Sequence, residues 1–600
     1  MPRKRTLSQA EEDSLNCALR EPGISQSKAF KVWSIATGLS GLSRGVAQRL
    51  DESRLRPYQD LFAHGQCRAL KPDKSSVSVH VLKVHRALQK MVKESNAWHV
   101  EMLQALRTSS VLRPVLYLDE VHAGNVLSAH AILKVSIFYI SFVEMQHCWH
   151  NEFAWLPAAV IQHDVVASIE AGLSQVLILL LEHMHTPREF TLLLQDRWFD
   201  VRMAPETFFI ADHDAQRMVY TAKGSAGIKP MQSIRDQEYF DSIEDMRRPH
   251  TKAALKEKEI CYGLRLEERG LMCSAQWREV MPPSRACNDA MHAYFCSGGI
   301  VQFEIMLFLQ TLTTQTSRTH ADLRTFASSH GWQRGPRAGS TRSAALFRAC
   351  YFDGDYYRGD ACQTKSLLPL LAYYAWELLG VRGLAPEECR CLYLLLDCVT
   401  EIRRLEQRWR PLAAREEVEA LERAQELHQV AFRRTYGETH MRPKHHHRLH
   451  LGECALKLGR LLTTEILEKK HQAVKSRGLL TRQRPKLCNS DHLQSWLLPR
   501  LLQDTVEGSK RASALGVWGA AGPQSEADLE TQTVLRDKSA QQVSTMHLRQ
   551  HTFSVADILL SAGGQACLVR GTVPWRPVWT RGTRGTAATA CSDAMGLRMV

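Results

Sequence analysis

VLYLDEVHAGNVL, residues Val115–Leu127, is the stretch whose reading decides the fold. Its opening run is rich in Val and Leu and is bounded by Pro114 on one side and the Ala123-Gly124-Asn125 turn on the other, the signature of a short strand. The strand ends on an acid, Asp119. A second strand-like run, KVSIFYISFV (Lys134–Val143), follows closely enough to lie beside the first. Apolar helix signals then run from Ala158 to His185, and FFIA (Phe208–Ala211) reads as another short buried strand, ending on Asp212. Strand, strand, helix, strand predicts an α/β fold. A carboxylate at the carboxyl end of a buried strand sits at the sheet edge, where it can hold a metal without being sealed in the core. An Asp after a strand is also a turn former, and at this point both readings of Asp119 and Asp212 stay open.

Outward from this centre, residues 1–110 read as a helical N-terminal region. Its clearest part is Val81–Thr108, where Val81, Leu82, Val84, Leu88, Met91 and Val92 recur at helical spacing. Residues 111–310 form the first part of the core and 311–448 a mainly helical insertion, whose segment Leu367–Phe432 is rich in Leu, Ala, Glu and Arg. Residues 449–505 are a basic helical return to the core. The tail, 506–600, has the Ser, Gly, Ala and Gln bias of a linker or disordered segment, with a small β unit expected at 551–572.

The 600 residues carry 77 Lys and Arg against 63 Asp and Glu, a net charge of +14, which favours a polyanionic partner. The 16 cysteines include no Cys-x-x-Cys, so a reducing compartment is expected. Cys389 and Cys391 are too close together for half of an ordinary zinc site and read as buried helix thiols. The N-terminus has no apolar signal region, and the apolar run Val176–Leu181 cannot span a bilayer, so no membrane association is expected. Pro2-Arg3-Lys4-Arg5 can serve as a nuclear address, which places the protein in the nucleus or, failing that, the cytoplasm. There is no phosphate-binding Gly-x-x-x-x-Gly-Lys-Ser/Thr loop and no His-Glu-x-x-His, and Gly41-Leu42-Ser43-Arg44-Gly45 lacks the preceding strands of a hydrolase sheet. Three consecutive histidines, 445–447, cannot all face one ion on a helix, and Arg442, Lys444 and Arg448 flank them. A solvated or phosphate-facing basic patch is therefore expected there rather than a metal site. With Lys469, Lys470 and Lys475 downstream, this region can follow a DNA backbone.

Several blocks in one order carry a resemblance. VLYLDEVHAGNVL with KVSIFYISFVE, then FFIADHDAQR (Phe208–Arg217) with KGSAGIKP (Lys223–Pro230), then NDAMHAYFCSGGIVQFE (Asn288–Glu304), then RPKHHHRLHL (Arg442–Leu451) and LTTEILEKKHQAVKS (Leu462–Ser476) span roughly residues 80 to 480. Together they resemble transposase-derived proteins of the DDE superfamily, similar to CACTA-type elements. The resemblance implies a ribonuclease H-like mixed sheet interrupted by a large helical insertion, carrying three acids that bind Mg2+ or Mn2+ and cut and join DNA. It implies Asp119 as first acid, Asp212 as second and Glu468 as third, with Glu304 the runner-up for the third. Asp289 and His292 match an Asp-x-x-His signature, whose His would orient a scissile phosphate or shield charge. After GIKP, Met231 and Gln232 stand where the family has a Cys, so no zinc subsite is expected. A catalytically inert, domesticated DNA- or protein-binding scaffold is the alternative function, and monomer and homo-oligomer are both left open.

Overall fold

This computed structural model describes residues 53, 55–70, 76–122, 134–222, 235–248, 251–296, 298–329, 346–376, 383–406, 411–412, 414–462, 464–482, 490–514, 557–560 and 566–569. The protein is mixed α/β. Its central sheet is built from β1 (Pro114–His122), β2 (Lys134–Phe142), β3 (Leu156–Gln162), β4 (Phe208–Ala211) and β5 (Ala286–Cys287), in the spatial order β5-β4-β1-β2-β3. The first three strands are an antiparallel meander, whereas β4 runs parallel to β1 and β5 parallel to β4. Leu118 of β1 lies opposite Ala211 of β4. Asp119 and Asp212, one residue further on, therefore stand at the same level, but β1 does not end on Asp119 as expected: it stays paired with β2 through His122, whereas β4 stops at Ala211.

All of β3 is buried, and so is β2 after Lys134. Strands covered on both faces lose the in-out alternation that marks a half-exposed strand. This explains why the segment from Ala158, expected as helix, is strand through Gln162, with the long helix α1 (Gly172–Met184) starting only afterwards. A continuous apolar run reads alike for a buried strand and a buried helix. The N-terminal region also differs from expectation. Phe62–Arg68 pairs antiparallel with Ser76–Leu82, so Val81 and Leu82 end a strand instead of opening a helix. The helices that follow, Val84–Glu94 and Asn96–Thr108, share one apolar core with the central sheet.

A second core starts at Ala290 and runs to Leu461. It is formed by α2 (Ala290–Tyr294), α3 (Ile300–Thr316), α4 (Ala361–Tyr374), α5 (Pro386–Glu406) and α6 (Glu419–Tyr436), with Cys389 and Cys391 buried on α5. The helical insertion thus opens well before residue 311. The chain then rejoins the first core through α7 (Glu465–Arg482) and α8 (Ser490–Ala514), and α8 packs across β3 with Leu497, Leu498 and Leu501 buried. Helix therefore continues past 505, where a linker was expected. Asp557–Leu560 and Ala566–Val569 pair as an antiparallel hairpin. The remaining tail, the basic N-terminus, Gly41–Gly45, the Ala123–Asn125 turn and the KGSAGIKP segment with Met231 and Gln232 lie outside the described residues. Among the described residues no helix is long and apolar enough to cross a membrane.

The weight that β1 carries is measurable. Leu118 is fully buried at the centre of the sheet, so Leu118→Ala should cost about 2–5 kcal/mol, read as a lowered urea unfolding midpoint. Leu193→Ala, at a 46 % exposed position on the hairpin Glu189–Leu194/Arg197–Met203, should leave the midpoint unchanged.

Candidate functional site

Strand alternation puts Tyr117 and Asp119 on the same face of β1, and the Tyr117 hydroxyl donates to Asp119 Oδ2 at 2.8 Å. The other carboxylate oxygen accepts from the Glu120 amide at 2.7 Å. The helix α7 crosses β1 and presents Glu468 and His471, three residues apart and hence on one helical face. His471 Nδ1 is 3.6 Å from Asp119 Oδ2 and 3.8 Å from Glu468 Oε2. One ligand atom from each of Asp119, Glu468 and His471 lies within 4.8 Å of the others. The His471 ring is buried against Tyr139 of β2, with 5.9 Å between centroids, while the Glu468 side chain is 41 % exposed and gives the cluster a solvent side. The proposed first and third acids are therefore brought together, from opposite ends of the chain.

Asp212 stands beside them by strand register rather than by direct side-chain contact. Its Oδ1 accepts from Ala215 N at 2.7 Å and caps the helix His213–Val219. Glu304, the runner-up, is elsewhere. It is fully buried on α3 and accepts from His428 Nε2 at 2.7 Å, whose Nδ1 faces the Arg448 guanidinium at 2.6 Å. Its neighbours are Cys391 and His428, not Asp119.

Asp289 supports the site. It caps α2 by accepting from the amides of Met291 and His292, both at 3.1 Å, and its Oδ2 holds His292 Nδ1 at 2.6 Å. It also accepts from Thr464 N at 3.2 Å and Thr464 Oγ1 at 2.6 Å, one residue before α7 begins. One buried carboxylate thus fixes both His292 and the start of the helix that carries Glu468. Burial alone would lower the His292 pKa, but the hydrogen bond and charge of Asp289, with the charges of Asp119 and Asp212, outweigh it and carry it up to about 9. Asp119 is held above the usual carboxylate range by burial, with Glu468 adding to the shift and His292, His471 and Tyr117 opposing it. Glu468 is held below its usual value, chiefly by His471, against the cost of burial.

The residues expected to follow DNA divide sharply. Lys469 and Lys475 are exposed on α7, and Arg442 is exposed with its guanidinium 4.5 Å from the Phe303 ring centre. Lys444 is partly buried and donates to the Cys296 carbonyl at 2.9 Å. Arg448 and Lys470 do not face a DNA backbone. Arg448 is fully buried and bonds His428 and the Gln425 carbonyl. Lys470 donates to the carbonyls of Glu152 and Trp155 and to Thr505 Oγ1, and burial pushes its pKa down to about 7. Successive helical positions turn by about 100°, so exposed Lys469 and buried Lys470 stand side by side in sequence, which a basic run conceals. Sequence reasoning missed Tyr117, Thr464 and the part that His471 plays. The Glu468-x-x-His471 spacing was the available signal for the last.

The Asp289–His292 pair gives a pH signature. A His whose folded pKa, about 9, lies above its unfolded value of roughly 6.5 adds stability that is complete below the unfolded value and disappears as pH rises through the folded one. In EDTA, the urea midpoint of the wild type minus that of Asp289→Asn should shrink between those two pH values; a constant difference contradicts the pairing. No protein-family model matches the sequence, and no curated protein matches it.

Proposed function

We propose that this chain is a transposase-like DNA-binding protein with a ribonuclease H-like core that cleaves and joins DNA strands by metal-dependent phosphoryl transfer. The observation that carries the reading is the meeting of Asp119, on the central strand, with Glu468, delivered by α7 after the helical insertion. Three antiparallel strands followed by two parallel ones, with Asp212 level with Asp119 on the adjacent parallel strand, support it.

The donor set suits Mg2+ or Mn2+. Carboxylate oxygens of Asp119 and Glu468 are the hard ligands both ions take, Asp212 stands alongside, and the His471 nitrogen favours Mn2+ over Mg2+. Ions held there would activate an attacking oxygen and stabilise the leaving one, as in sites where two metals lie about 3.5–4 Å apart. The remaining work falls to the protein. Tyr117 fixes the Asp119 carboxylate in one orientation, and burial of Asp119 limits its contact with bulk water. His292, held by Asp289, adds positive charge next to the acids, where it can orient a phosphate oxygen. Lys469 and Lys475 extend that positive field along the exposed side of α7. DNA is the partner this reading requires, and the nucleus its compartment.

With labelled terminal-repeat DNA and Mn2+, the wild type should nick the substrate, Asp119→Asn and Glu468→Gln should fall to background, and Glu304→Gln should retain the activity of the wild type. Equal cleavage by wild type and Asp119→Asn contradicts the catalytic assignment. Salt-sensitive DNA binding without nicking in any of them identifies an inert scaffold. Replacing both Lys469 and Lys475 by Ala should make the dependence of log affinity on log salt shallower by about 1.8, from roughly 0.9 per phosphate contact on duplex DNA.

A further inference from the structure

The histidine run at 445–447 is not one feature. His445 turns inward, fully buried against Phe432 with 4.5 Å between ring centroids, and its Nδ1 accepts from the Arg442 amide at 3.1 Å. His447 offers its carbonyl to Asn288 Nδ2 at 3.0 Å. His446 instead faces His450, one helical turn on, with the two Nε2 atoms 3.0 Å apart. In neutral rings one of these nitrogens carries a proton and donates to the other.

We propose that His446 and His450 form a two-histidine chelate for a divalent transition-metal ion of the Zn2+ or Cu2+ type. Imidazole bonds of about 2.0–2.1 Å place two adjacent ligand nitrogens roughly 2.9–3.4 Å apart on one ion, and the observed separation falls in that span. Coordination through both Nε2 atoms requires only that each ring carry its proton on Nδ1, a change of tautomer in whichever ring donates. Behind His450, Glu453 Oε2 lies 3.9 Å from Nδ1, and Lys457 holds the other Glu453 oxygen at 2.7 Å. At that distance Glu453 places negative charge beside the His450 ring without a hydrogen bond to it.

The cations that would repel an ion are turned away. Arg448 is buried on His428, Arg442 lies over Phe303, and Lys444 reaches the Cys296 carbonyl. Two protein nitrogens leave the other coordination positions to water or to an exchangeable ligand, and the absence of carboxylate ligands from the pair disfavours Mg2+ and Ca2+. The site is independent of Asp119 and Glu468, so it stands or falls separately from the proposed strand cleavage.

The test uses the full-length protein stripped with EDTA and dialysed. Zn2+ is titrated against a chromophoric chelator, and Cu2+ binding is followed by electron paramagnetic resonance. The wild type should bind one more equivalent of Zn2+ than either His446→Gln or His450→Ala, and its Cu2+ spectrum should contain a two-nitrogen component that both variants lack. Asp119→Asn should keep that equivalent and that component. His446→Gln preserves a hydrogen-bonding partner for His450 at an exposed position, so the fold, checked by circular dichroism, should survive. Equal Zn2+ stoichiometry in wild type and both histidine variants, with unchanged Cu2+ spectra, overturns the proposal.

Discussion

The structure around the acidic cluster depends on the carboxylate of Asp289. Its two oxygens take hydrogen bonds from two backbone amides of α2, from the His292 ring, and from the amide and hydroxyl of Thr464. Burying a charge in this way is tolerated only because every lone pair has a donor. The consequence is geometric. Asp289 lies two residues past the end of β5, so the edge of the central sheet is tied to the start of α7, and α7 is the element that brings Glu468 and His471 to Asp119.

Two buried cations complete the scaffold. Lys470 extends from α7 away from the acids into the space between the carbonyls of Glu152 and Trp155 and the Thr505 hydroxyl of α8, and its ammonium lies 5.3 Å from the Tyr139 ring centre. His471, the next residue, stacks on the same ring and stands within 3.6 Å of Asp119. Arg448 does the corresponding work in the insertion, joining α6 to α3 through His428 and Glu304. Removing either cation leaves buried acceptors without donors, which costs more than the hydrogen bonds themselves contribute. The excess of basic residues in the C-terminal blocks is therefore partly internal structure, and only its exposed part, Arg442, Lys469 and Lys475, is available to a polyanion.

The mixed α/β class and the strands at 115–119, 134–143 and 208–211 were legible in the sequence because Val, Ile, Phe and Leu runs ended at turn residues or acids. The strand at 156–162 was not, since LPAAVIQ is buried on both faces and carries no period. Asp119 was recognisable as an acid on a strand, although the strand does not close on it but runs to His122, and Glu468 as an acid on a basic helix. That they meet was implied by the resemblance alone and by no spacing or period, because it depends on the Asp289–Thr464 bonds that join residues far apart in sequence. The inward turn of Arg448 and Lys470 was hidden for a related reason: charge type says nothing about which helical face is covered. The pairing of His446 with His450 was within reach from their spacing of four, but the flanking cations argued against a metal until their directions were known.

The central claim is that Asp119 and Glu468 share a metal. Mn2+ binding to the EDTA-stripped protein, followed by electron paramagnetic resonance of the free ion, tests it without requiring a DNA substrate. Saturable binding in the wild type that is lost in Asp119→Asn and in Glu468→Gln, and kept in Glu304→Gln, is the predicted result. Undiminished Mn2+ binding in Asp119→Asn would contradict it.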